Sequence, residues 1–357
     1  MSPDYQISDP TVIEPFNLSK IHRLLRIIKQ AYLGETPGAS LSIRDTKRRS
    51  CQVPPFCITK ILVVFYAWKN GVIKMAFKVT ESAGPCGATI SGLDLSKPLS
   101  EEVISQLRKA WLKYKVIAFP EQSLTNTDLE NFTLYFGDYG DDPYFEAIEG
   151  HDHIAAICRD ANEASPIFAQ VWHTDWSFQK LPPAATCLYG ITVPPVGGDT
   201  LFINQQKALD EMPDDLRARI DGKLAIHSAR GGYAPDGAYG EREKNSDRSM
   251  KIIYSEQAYA TQTHAFIRRH PETGDEMLYG ALGYIIGVQD MSQKQGHQLL
   301  VDLYEWQTQK QFQYAQKWSS NMLLMWDNRS VLHSASGGYQ GYDRLLHRTT
   351  IADRIYS

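Results

Sequence analysis

Apolar residues recur at helical spacing in two stretches that begin near residue 100. Ser100 is a residue type that caps helices, so we predict a helix from there to about Tyr114. A second predicted helix begins at Thr125 and closes at Gly137, because glycine favours the backbone conformation that ends helices. Between them, the apolar run KVIAFPEQ predicts a buried strand stopped by Pro120. The residues that the two helices would bury are Val103, Ile104, Leu107, Trp111, Leu129, Phe132 and Phe136.

From residue 165 onward the pattern changes to short β-type runs separated by turns rich in proline and glycine. Helical segments are predicted between these runs, near 205–220 and 291–315. Short strands with such turns favour a β-sandwich or barrel with helices packed outside. The β-type runs are 185–193, 199–204, 224–229, 322–326 and 345–352.

Residues 1–74 differ from the rest of the chain in charge and in pattern. The 357-residue chain has a net charge of −4, but residues 1–74 hold eleven Lys/Arg and five Asp/Glu, whereas residues 75–357 hold 26 basic and 36 acidic side chains. We therefore expect residues 1–74 to be an atypical extension, either disordered or an over-long start, and residues 75–357 to be the folded domain. The acidic domain argues against nucleic acid as a substrate.

The cysteines and the apolar runs favour a cytoplasmic protein. Five cysteines, odd in number and mostly far apart, indicate neither a disulfide framework nor a zinc site. The longest apolar run, ILVVFYAW at 61–68, is far too short to span a bilayer. We expect no membrane and no nucleic-acid partner, and a homo-oligomer is compatible with the sequence.

The segment VWHTDWSF places His173 and Asp175 two positions apart. Side chains alternate along a strand, so both could reach one ion, or both could be polar residues on the solvated side of a strand. His333, in MWDNRSVLHSAS, is a third candidate ligand after a β-type run. Two histidines and one carboxylate suit ferrous iron, while zinc more often takes three or four His/Cys ligands. The HDH triplet that begins at His151 lies in a polar segment, for which we predict a solvated loop.

Two arginines, Arg344 and Arg348, follow His333 within GYDRLLHRTTI. If 344–351 is a strand, both point to the same face, and arginine can hold a carboxylate by two parallel hydrogen bonds. The alternative is that both lie on the surface in salt bridges, and the two residues taken alone favour that alternative.

Taken together, these residues closely resemble the taurine dioxygenase / 2,4-dichlorophenoxyacetate dioxygenase (TauD/TfdA) family of Fe(II)- and 2-oxoglutarate-dependent oxygenases. The resemblance runs from about Phe77 to Ile351 and supports Met75 as the natural start. It implies a mainly β fold with flanking helices, the double-stranded β-helix (jelly roll) of the clavaminate synthase-like type. The matching motifs are GATISGLDLSKPLS, WHTDWSFQKLPPAATCLYG, VGGDTLF, HPETG, WDNRSVLHSAS and RLLHRTTI.

The family pattern implies roles for the matching residues. His173, Asp175 and His333 would ligate the iron and act as the catalytic residues. Thr200, in GGDT, and Arg344 would hold the distal carboxylate of 2-oxoglutarate. The keto acid end of 2-oxoglutarate would chelate the metal, and dioxygen would be the second co-substrate.

The sequence departs from the taurine-using members in the substrate pocket. Arg348 falls where those members place an arginine for the substrate's anionic group, and Asp142 and Phe145, in GDDPYF, are assigned to the same pocket. Taurine enzymes carry a histidine at the position of Asp142 and an asparagine at that of Ala169. An acid repels a sulfonate, and alanine cannot donate a hydrogen bond, so taurine itself is in doubt.

The predicted function is hydroxylation of a C–H bond of a small anionic molecule, with release of succinate and carbon dioxide. The candidate substrates are a sulfonate, a sulfate ester, an aryloxyalkanoate or an amino-acid-like molecule. The alternatives are a non-catalytic jelly-roll protein that binds a small acid or metal, and a zinc-dependent hydrolase. The Thr200/Arg344 pair disfavours the first, and the sequence points to no general base for the second.

Overall fold

The computed structural model describes residues 76–353, without the side chains of residues 244 and 245. The predicted extension, residues 1–74, lies outside the described part of the chain. The strands are β1 (Lys78–Glu81), β2 (Ala88–Ser91), β3 (Val116–Phe119), β4 (Ala147–Ile148), β5 (His151–Arg159), β6 (Ala185–Thr192), β7 (Thr200–Asn204), β8 (Leu224–Ser228), β9 (Thr261–Ala265), β10 (Ile267–Arg269), β11 (Glu276–Leu278), β12 (Ile285–Val288), β13 (Gln313–Gln316), β14 (Leu323–Asp327), β15 (Val331–Ala335) and β16 (Arg344–Ile351). The α-helices are α1 (Glu101–Tyr114), α2 (Asn126–Leu134), α3 (Gln205–Asp210), α4 (Asp214–Ile220), α5 (Arg230–Tyr233) and α6 (Gln293–Gln307). Short 3₁₀ helices are Glu241–Asn245, Glu256–Tyr259 and Lys310–Phe312.

Two sheets packed face to face form the body of the described domain. The larger one has eight strands in the order β1-β2-β3-β14-β6-β16-β5-β4, and the smaller one has the order β13-β7-β15. His173 pairs with His333 and so extends the smaller sheet beside β15. Phe202 of β7 and Val331 of β15 pack against Leu346 of β16 in the core between the sheets. Two packed sheets with flanking helices are the architecture that the sequence predicts.

Helices α1 and α2 cover the outer face of the larger sheet, because its central strands are apolar on both faces. Along β14, Leu323 and Met325 pack beneath the helices, while Leu324 and Trp326 pack between the sheets. This alternation follows from the two-residue period of a strand. Leu107, Trp111, Leu129, Phe132 and, just after α2, Phe136 are buried in this outer core, as predicted. Val103 and Ile104, which were also expected to be buried, are only half-buried.

The predicted starts of both helices are correct. Ser100 caps α1, and its hydroxyl accepts a hydrogen bond from the backbone N–H of Val103 at 3.3 Å. Thr125 caps α2 in a reciprocal capping box with Asp128. Both caps satisfy backbone N–H groups that have no partner inside the helix.

The predicted end of α2 at Gly137 is wrong. The helix ends at Leu134, three residues earlier along the chain. Gly137 packs instead against β16, where a Cβ atom would lie 2.8 Å from the side chain of Ile351. The glycine therefore permits a close approach between segments and does not end the helix.

Three other expectations about secondary structure are corrected. The segment at His151 is not a loop but the start of β5, although its side chains are half-buried or exposed. The helical segment near 205–220 is two helices, because Pro213 lacks the N–H that would continue α3. Helix α6 ends at Gln307, and a 3₁₀ helix and β13 occupy the rest of the predicted helical segment.

A second apolar core lies beside the three-stranded sheet β12-β8-β9. Leu209 of α3, Leu216 of α4 and Leu299 of α6 pack there with Ala225 and Val288 of the strands. Among the described residues, no helix has the length and apolar content needed to cross a bilayer. The described cysteines are Cys86, Cys158 and Cys187, and all three are free.

Candidate active site

Backbone pairing brings the two candidate histidine ligands together. The N–H of His173 donates to the carbonyl of His333 at 3.0 Å, and the reverse hydrogen bond measures 2.7 Å. Residues that are directly opposite in an antiparallel pair project their side chains to the same side. The two imidazole rings accordingly lie 4.2 Å apart between centroids.

Asp175 reaches the two histidines from a turn and not from a strand. Trp176, the next residue in this turn, has a φ of +47°. Asp175 Oδ1 lies 3.8 Å from His173 Nε2 and 3.6 Å from His333 Nε2. The ligand atoms of His173, Asp175 and His333 all lie within 4.8 Å of one another. Within residues 76–353, these three residues form the cluster of His, Cys, Asp or Glu side chains that could hold a metal ion. His173 and Asp175 are buried, so they are not polar residues on a solvated face.

The ring nitrogens of both histidines are suited to metal binding. His173 Nδ1 lies 2.8 Å from the carbonyl of Val171, so Nδ1–H donates there and the lone pair of Nε2 faces Asp175. Burial lowers the pKa of His173, and burial with the neighbouring His173 lowers that of His333 to about 3. Neutral imidazole is the form that binds a metal.

Packing, and not a hydrogen bond, orients the second histidine. The ring of His333 lies 4.8 Å from that of Trp326 and 6.3 Å from that of Phe202, centroid to centroid. Its Nδ1 is buried without a hydrogen-bond partner among the described residues. The aromatic core between the sheets therefore holds this ring in place.

Asp175 is held in its charged form. Burial alone would raise its pKa, but Arg348 and the two histidines lower it well below the usual range of a carboxyl group. Thr186 donates to Asp175 Oδ2 at 2.6 Å, and Arg348 Nη2 lies 3.3 Å from the same oxygen. The contacts to Oδ2 leave Oδ1 directed at the histidines. The donor set thus fits a divalent cation that takes two imidazoles and one carboxylate.

Arg344 lies in the same pocket without a carboxylate partner among the described residues. Its Nη2 donates to the carbonyl of Gly198 at 3.2 Å, and its buried Nε has no hydrogen-bond partner. Thr200 lines the pocket beside it and accepts a hydrogen bond from Trp318 Nε1 at 2.9 Å, so the Thr200 hydroxyl hydrogen is available to a ligand. Together these donors could hold a carboxylate group.

The other arginines of the pocket are all paired. Arg159 and Arg248 contact Glu163 Oε1 at 3.0 and 3.7 Å. Arg348, four residues after Arg344 on β16, contacts Asp142 Oδ1 at 2.7 Å. The two β16 arginines share a face, as predicted for a strand.

Asp142 contacts the pocket wall but does not line the pocket. Its Oδ1 accepts hydrogen bonds from Trp176 Nε1 at 2.5 Å and from Arg348 Nη1 at 2.7 Å. Burial raises the pKa of Asp142, and the guanidinium of Arg348 opposes that rise. Phe145 lines the pocket, with the Arg348 guanidinium 5.0 Å from its ring centre. Ala169 also lines it.

Several residues that line the pocket are not marked by any motif in the sequence. Tyr233 and Tyr284 lie in the wall, and the backbone of α5 supplies the former. Arg159 and Glu163 come from the end of β5 and the loop after it. These residues belong to no local motif, so only the packing of distant segments identifies them.

The chain belongs to the taurine catabolism dioxygenase TauD, TfdA family, whose family model matches residues 78–350. It is similar to the alkylsulfatase of Acinetobacter baylyi, with 30% identity over 274 residues, 76% of this chain and 84% of that protein. It is also similar to the alpha-ketoglutarate-dependent sulfate ester dioxygenase of Pseudomonas putida, with 28% identity over 278 residues, 76% of this chain and 88% of that protein.

Solved structures with the same fold include a taurine dioxygenase from Burkholderia xenovorans, with a TM-score of 0.64, 28% identity, and coverage of 78% of this chain and 89% of that chain. A second is AAD-2 in complex with Mn(II) and N-oxalylglycine, with a TM-score of 0.65, 26% identity, and coverage of 77% and 97%. The protein is therefore a dioxygenase dependent on 2-oxoglutarate, the compound also called alpha-ketoglutarate. The predicted family, jelly-roll fold and enzyme class are confirmed, and the non-catalytic alternative is wrong.

Proposed function

We propose that this dioxygenase uses Fe(II) at His173, Asp175 and His333 to hydroxylate a C–H bond of a small organic substrate held beside Arg348. The observation that carries the proposal is the convergence of three ligand atoms within 4.8 Å of one another in a pocket that also holds Arg344. Arg344 is the pocket arginine whose charge no described carboxylate compensates. A diacid and a metal ion can thus occupy neighbouring places.

The metal would be held by His173 Nε2, Asp175 Oδ1 and His333 Nε2. Three ligands on one face of a ferrous ion leave three positions open, which suits 2-oxoglutarate and dioxygen. When bound, the iron would activate dioxygen with electrons from the decarboxylation of 2-oxoglutarate to succinate, so that one oxygen atom enters succinate and the other the substrate.

The protein's contribution to co-substrate binding is a pre-formed anion site. An uncompensated guanidinium such as that of Arg344 is costly to bury, and the distal carboxylate of 2-oxoglutarate would compensate it. The Thr200 hydroxyl, oriented by Trp318, would donate a further hydrogen bond. These donors stand ready before the ligand arrives, so little reorganisation is needed.

The substrate would bind among Arg348, Phe145 and Trp176. The sequence predicts an anionic substrate, and relatives are named for sulfate esters and for 2,4-dichlorophenoxyacetate. Asp142 and Asp175 both contact the arginine that would receive such an anion. We therefore propose where the substrate binds and how it reacts, and this part of the proposal does not depend on the charge of the substrate.

The metal assignment is tested by anaerobic titration of the protein with Fe(II) and 2-oxoglutarate. We expect the weak visible charge-transfer band of an Fe(II)–2-oxoglutarate complex, which zinc cannot produce. Replacing Asp175→Ala should abolish the band and succinate release, because two neutral imidazoles alone bind the cation far more weakly. Asp152→Ala, at an exposed position of β5, serves as the control and should behave as wild type. Full activity of the Asp175→Ala variant would refute the assignment.

A further inference from the structure

The guanidinium group of Arg348 faces two carboxylates. Its Nη1 donates to Asp142 Oδ1 at 2.7 Å, and its Nη2 lies 3.3 Å from Asp175 Oδ2. Arg348 is 4% exposed, so its guanidinium group is shielded from water, whereas Asp142 is half-buried. Removing one partner from such a pair is costly because the other charge stays buried and uncompensated. An anion at Arg348 would therefore share its guanidinium group with Asp142 and Asp175.

Asp142 can keep this contact while a substrate is bound. Trp176 Nε1 donates to the same carboxylate oxygen, which fixes the orientation of the Asp142 side chain. Arg348 and Trp176 line the pocket, whereas Asp142 lies behind them. A substrate thus meets a guanidinium whose charge is already compensated, and it does not touch the carboxylate that compensates it.

With Fe(II) and 2-oxoglutarate bound, the charges of the site sum to zero before any substrate binds. The positive charges of Fe(II), Arg344 and Arg348 equal the negative charges of 2-oxoglutarate, Asp142 and Asp175. An anionic substrate would add a net negative charge to this buried site. The penalty for burying an uncompensated ion in a protein is several kcal/mol even after relaxation.

The remaining pocket arginines offer an anion no better site. Arg159 Nη1 contacts Glu163 Oε1 at 3.0 Å. Arg248 contacts the same oxygen at 3.7 Å and Glu243 Oε2 at 3.0 Å. Two carboxylates thus compensate two guanidinium groups, and this part of the wall is also neutral overall.

Aromatic rings make up much of the wall near Arg348. The Phe145 ring lies 5.0 Å from that of Trp176 and 5.7 Å from that of Phe168, between centroids. Tyr233 and Tyr284 continue this surface. Rings arranged in this way favour an aromatic or otherwise apolar ligand through buried area and edge-to-face contacts.

One side of the Arg348 guanidinium group still needs a hydrogen-bond partner. Arg348 Nη2 is buried and makes no hydrogen bond to the described residues, because its contact with Asp175 has ion-pair distance without hydrogen-bond geometry. A buried donor without a partner costs about 1–3 kcal/mol. A carbonyl, ether or sulfonyl oxygen of the substrate would satisfy this donor and bring no charge.

We propose that Asp142 determines specificity by cancelling the charge of Arg348, so that the pocket selects an uncharged, aromatic substrate with an oxygen acceptor over an anionic one. Asp142 acts through Arg348 and is a positioning residue. This inference rests on the proposed function and replaces the anionic substrate expected from the sequence.

The test compares two probes of the same shape, phenoxyacetate and its uncharged counterpart phenoxyacetamide. Each is titrated by calorimetry into protein loaded with Fe(II) and 2-oxoglutarate in the absence of oxygen. The wild type should bind phenoxyacetamide more tightly. Asp142→Asn keeps an oxygen that accepts from Trp176 and Arg348 but removes the charge, so we expect the Kd of phenoxyacetate to fall by about tenfold or more and that of phenoxyacetamide to change by less than about twofold.

Two further variants separate the charge effect from a general loosening of the pocket. Asp141→Asn removes an exposed acid one residue away and should keep the wild-type ratio of the two Kd values. The double variant Asp142→Asn/Arg348→Gln removes both charges and should lose the gain in phenoxyacetate binding. If Asp142→Asn is less stable, phenoxyacetate should raise its Tm, because a ligand that binds the folded state stabilises it.

Either of two results would overturn the inference. One is tighter binding of phenoxyacetate than of phenoxyacetamide by the wild type. The other is an Asp142→Asn variant in which phenoxyacetate gains neither affinity nor a Tm shift. If the wild type fails to form the visible Fe(II)–2-oxoglutarate band, the proposed function itself is wrong. If the band forms normally but Asp142→Asn does not bind phenoxyacetate more tightly, only the specificity inference is wrong.

Discussion

Single side chains in this pocket differ in function because their partners differ. Arg344 and Arg348 share a strand, a face and nearly complete burial, yet Asp142 compensates Arg348 and no described carboxylate compensates Arg344. Burial lowers the pKa of Arg344, since a charged group without a partner is disfavoured away from water. Arg344, which no described carboxylate compensates, is therefore the arginine that we propose for the anionic co-substrate.

Replacing Arg344→Gln should weaken the binding of 2-oxoglutarate. Hydrogen bonds to charged groups contribute about 1.5–3 kcal/mol each, so the Kd should rise about tenfold to a hundredfold. Titration of the visible Fe(II)–2-oxoglutarate band measures the change. Arg217→Gln, which removes a half-exposed arginine paired with Glu276, is the matched control and should leave the Kd unaltered. An unchanged Kd in Arg344→Gln would show that this arginine does not bind the co-substrate.

At the scale of elements, local signals decide where the two covering helices begin. Thr125 and Asp128 satisfy each other's backbone N–H groups at the start of α2. This helix buries Leu129 and Phe132 against the larger sheet, whose inner face carries Arg344 and Arg348. The cap therefore acts on the stability of the domain and not directly on its chemistry.

Removing the cap by Thr125→Ala should destabilise the domain without changing the active site. Loss of an N-cap costs about 1 kcal/mol, typically within 0.5–2 kcal/mol. Chemical denaturation measures this difference in the free energy of unfolding. Thr127→Ala, at an exposed position inside the same helix, is the control and should cost much less. Equal losses in the two variants would mean that the capping box contributes nothing.

At the scale of the whole molecule, a buried ionic network ties the turn between β14 and β15 to other parts of the domain. Asp327 Oδ1 accepts from Arg329 Nε at 2.9 Å, and Asp327 Oδ2 lies 2.9 Å from His270 Nε2. Glu272 joins Arg329, at 3.0 Å, to Arg108 of α1, at 2.7 Å. This turn leads directly into β15, so the network supports the strand that carries a candidate metal ligand.

The network makes stability depend on acid pH. Burial would raise the pKa of Asp327, but Arg329 and His270 lower it well below the usual range, and Arg108 and Arg329 likewise lower that of Glu272 against its burial. A carboxyl group with a depressed folded pKa stabilises the fold fully above its unfolded pKa of about 4, and this contribution is lost as the pH falls through the folded value.

Asp327→Asn should therefore lower stability by about 3–5 kcal/mol at neutral pH, the usual effect of breaking a buried pair. Below about pH 4, where the wild type itself loses this contribution, the difference between the two proteins should shrink. Urea unfolding at a series of pH values tests both statements. Asp221→Asn, at an exposed position, is the control. A constant difference at every pH would contradict the proposed linkage.

The sequence by itself determined the elements whose signals are local. The β-type runs that became β14 and β16, the caps at Ser100 and Thr125, and the spacing of the motifs predicted strands, helices and family, because each depends on neighbours along the chain. His173 and Asp175 could be predicted as candidate metal ligands for the same reason, because they are neighbours in the chain. The predicted cause was wrong, since Asp175 reaches the histidines from a turn and not by the alternation of a strand.

Only the tertiary structure decided the electrostatic state of the pocket. Asp142 and Arg348 are 206 residues apart in the chain and 2.7 Å apart in space. Coulomb energy and desolvation depend on distance and burial, neither of which is a property of one residue or its sequence neighbours. The sequence could therefore place an acid and an arginine in one pocket, but it could not show that the acid neutralises Arg348 and leaves Arg344 unpaired.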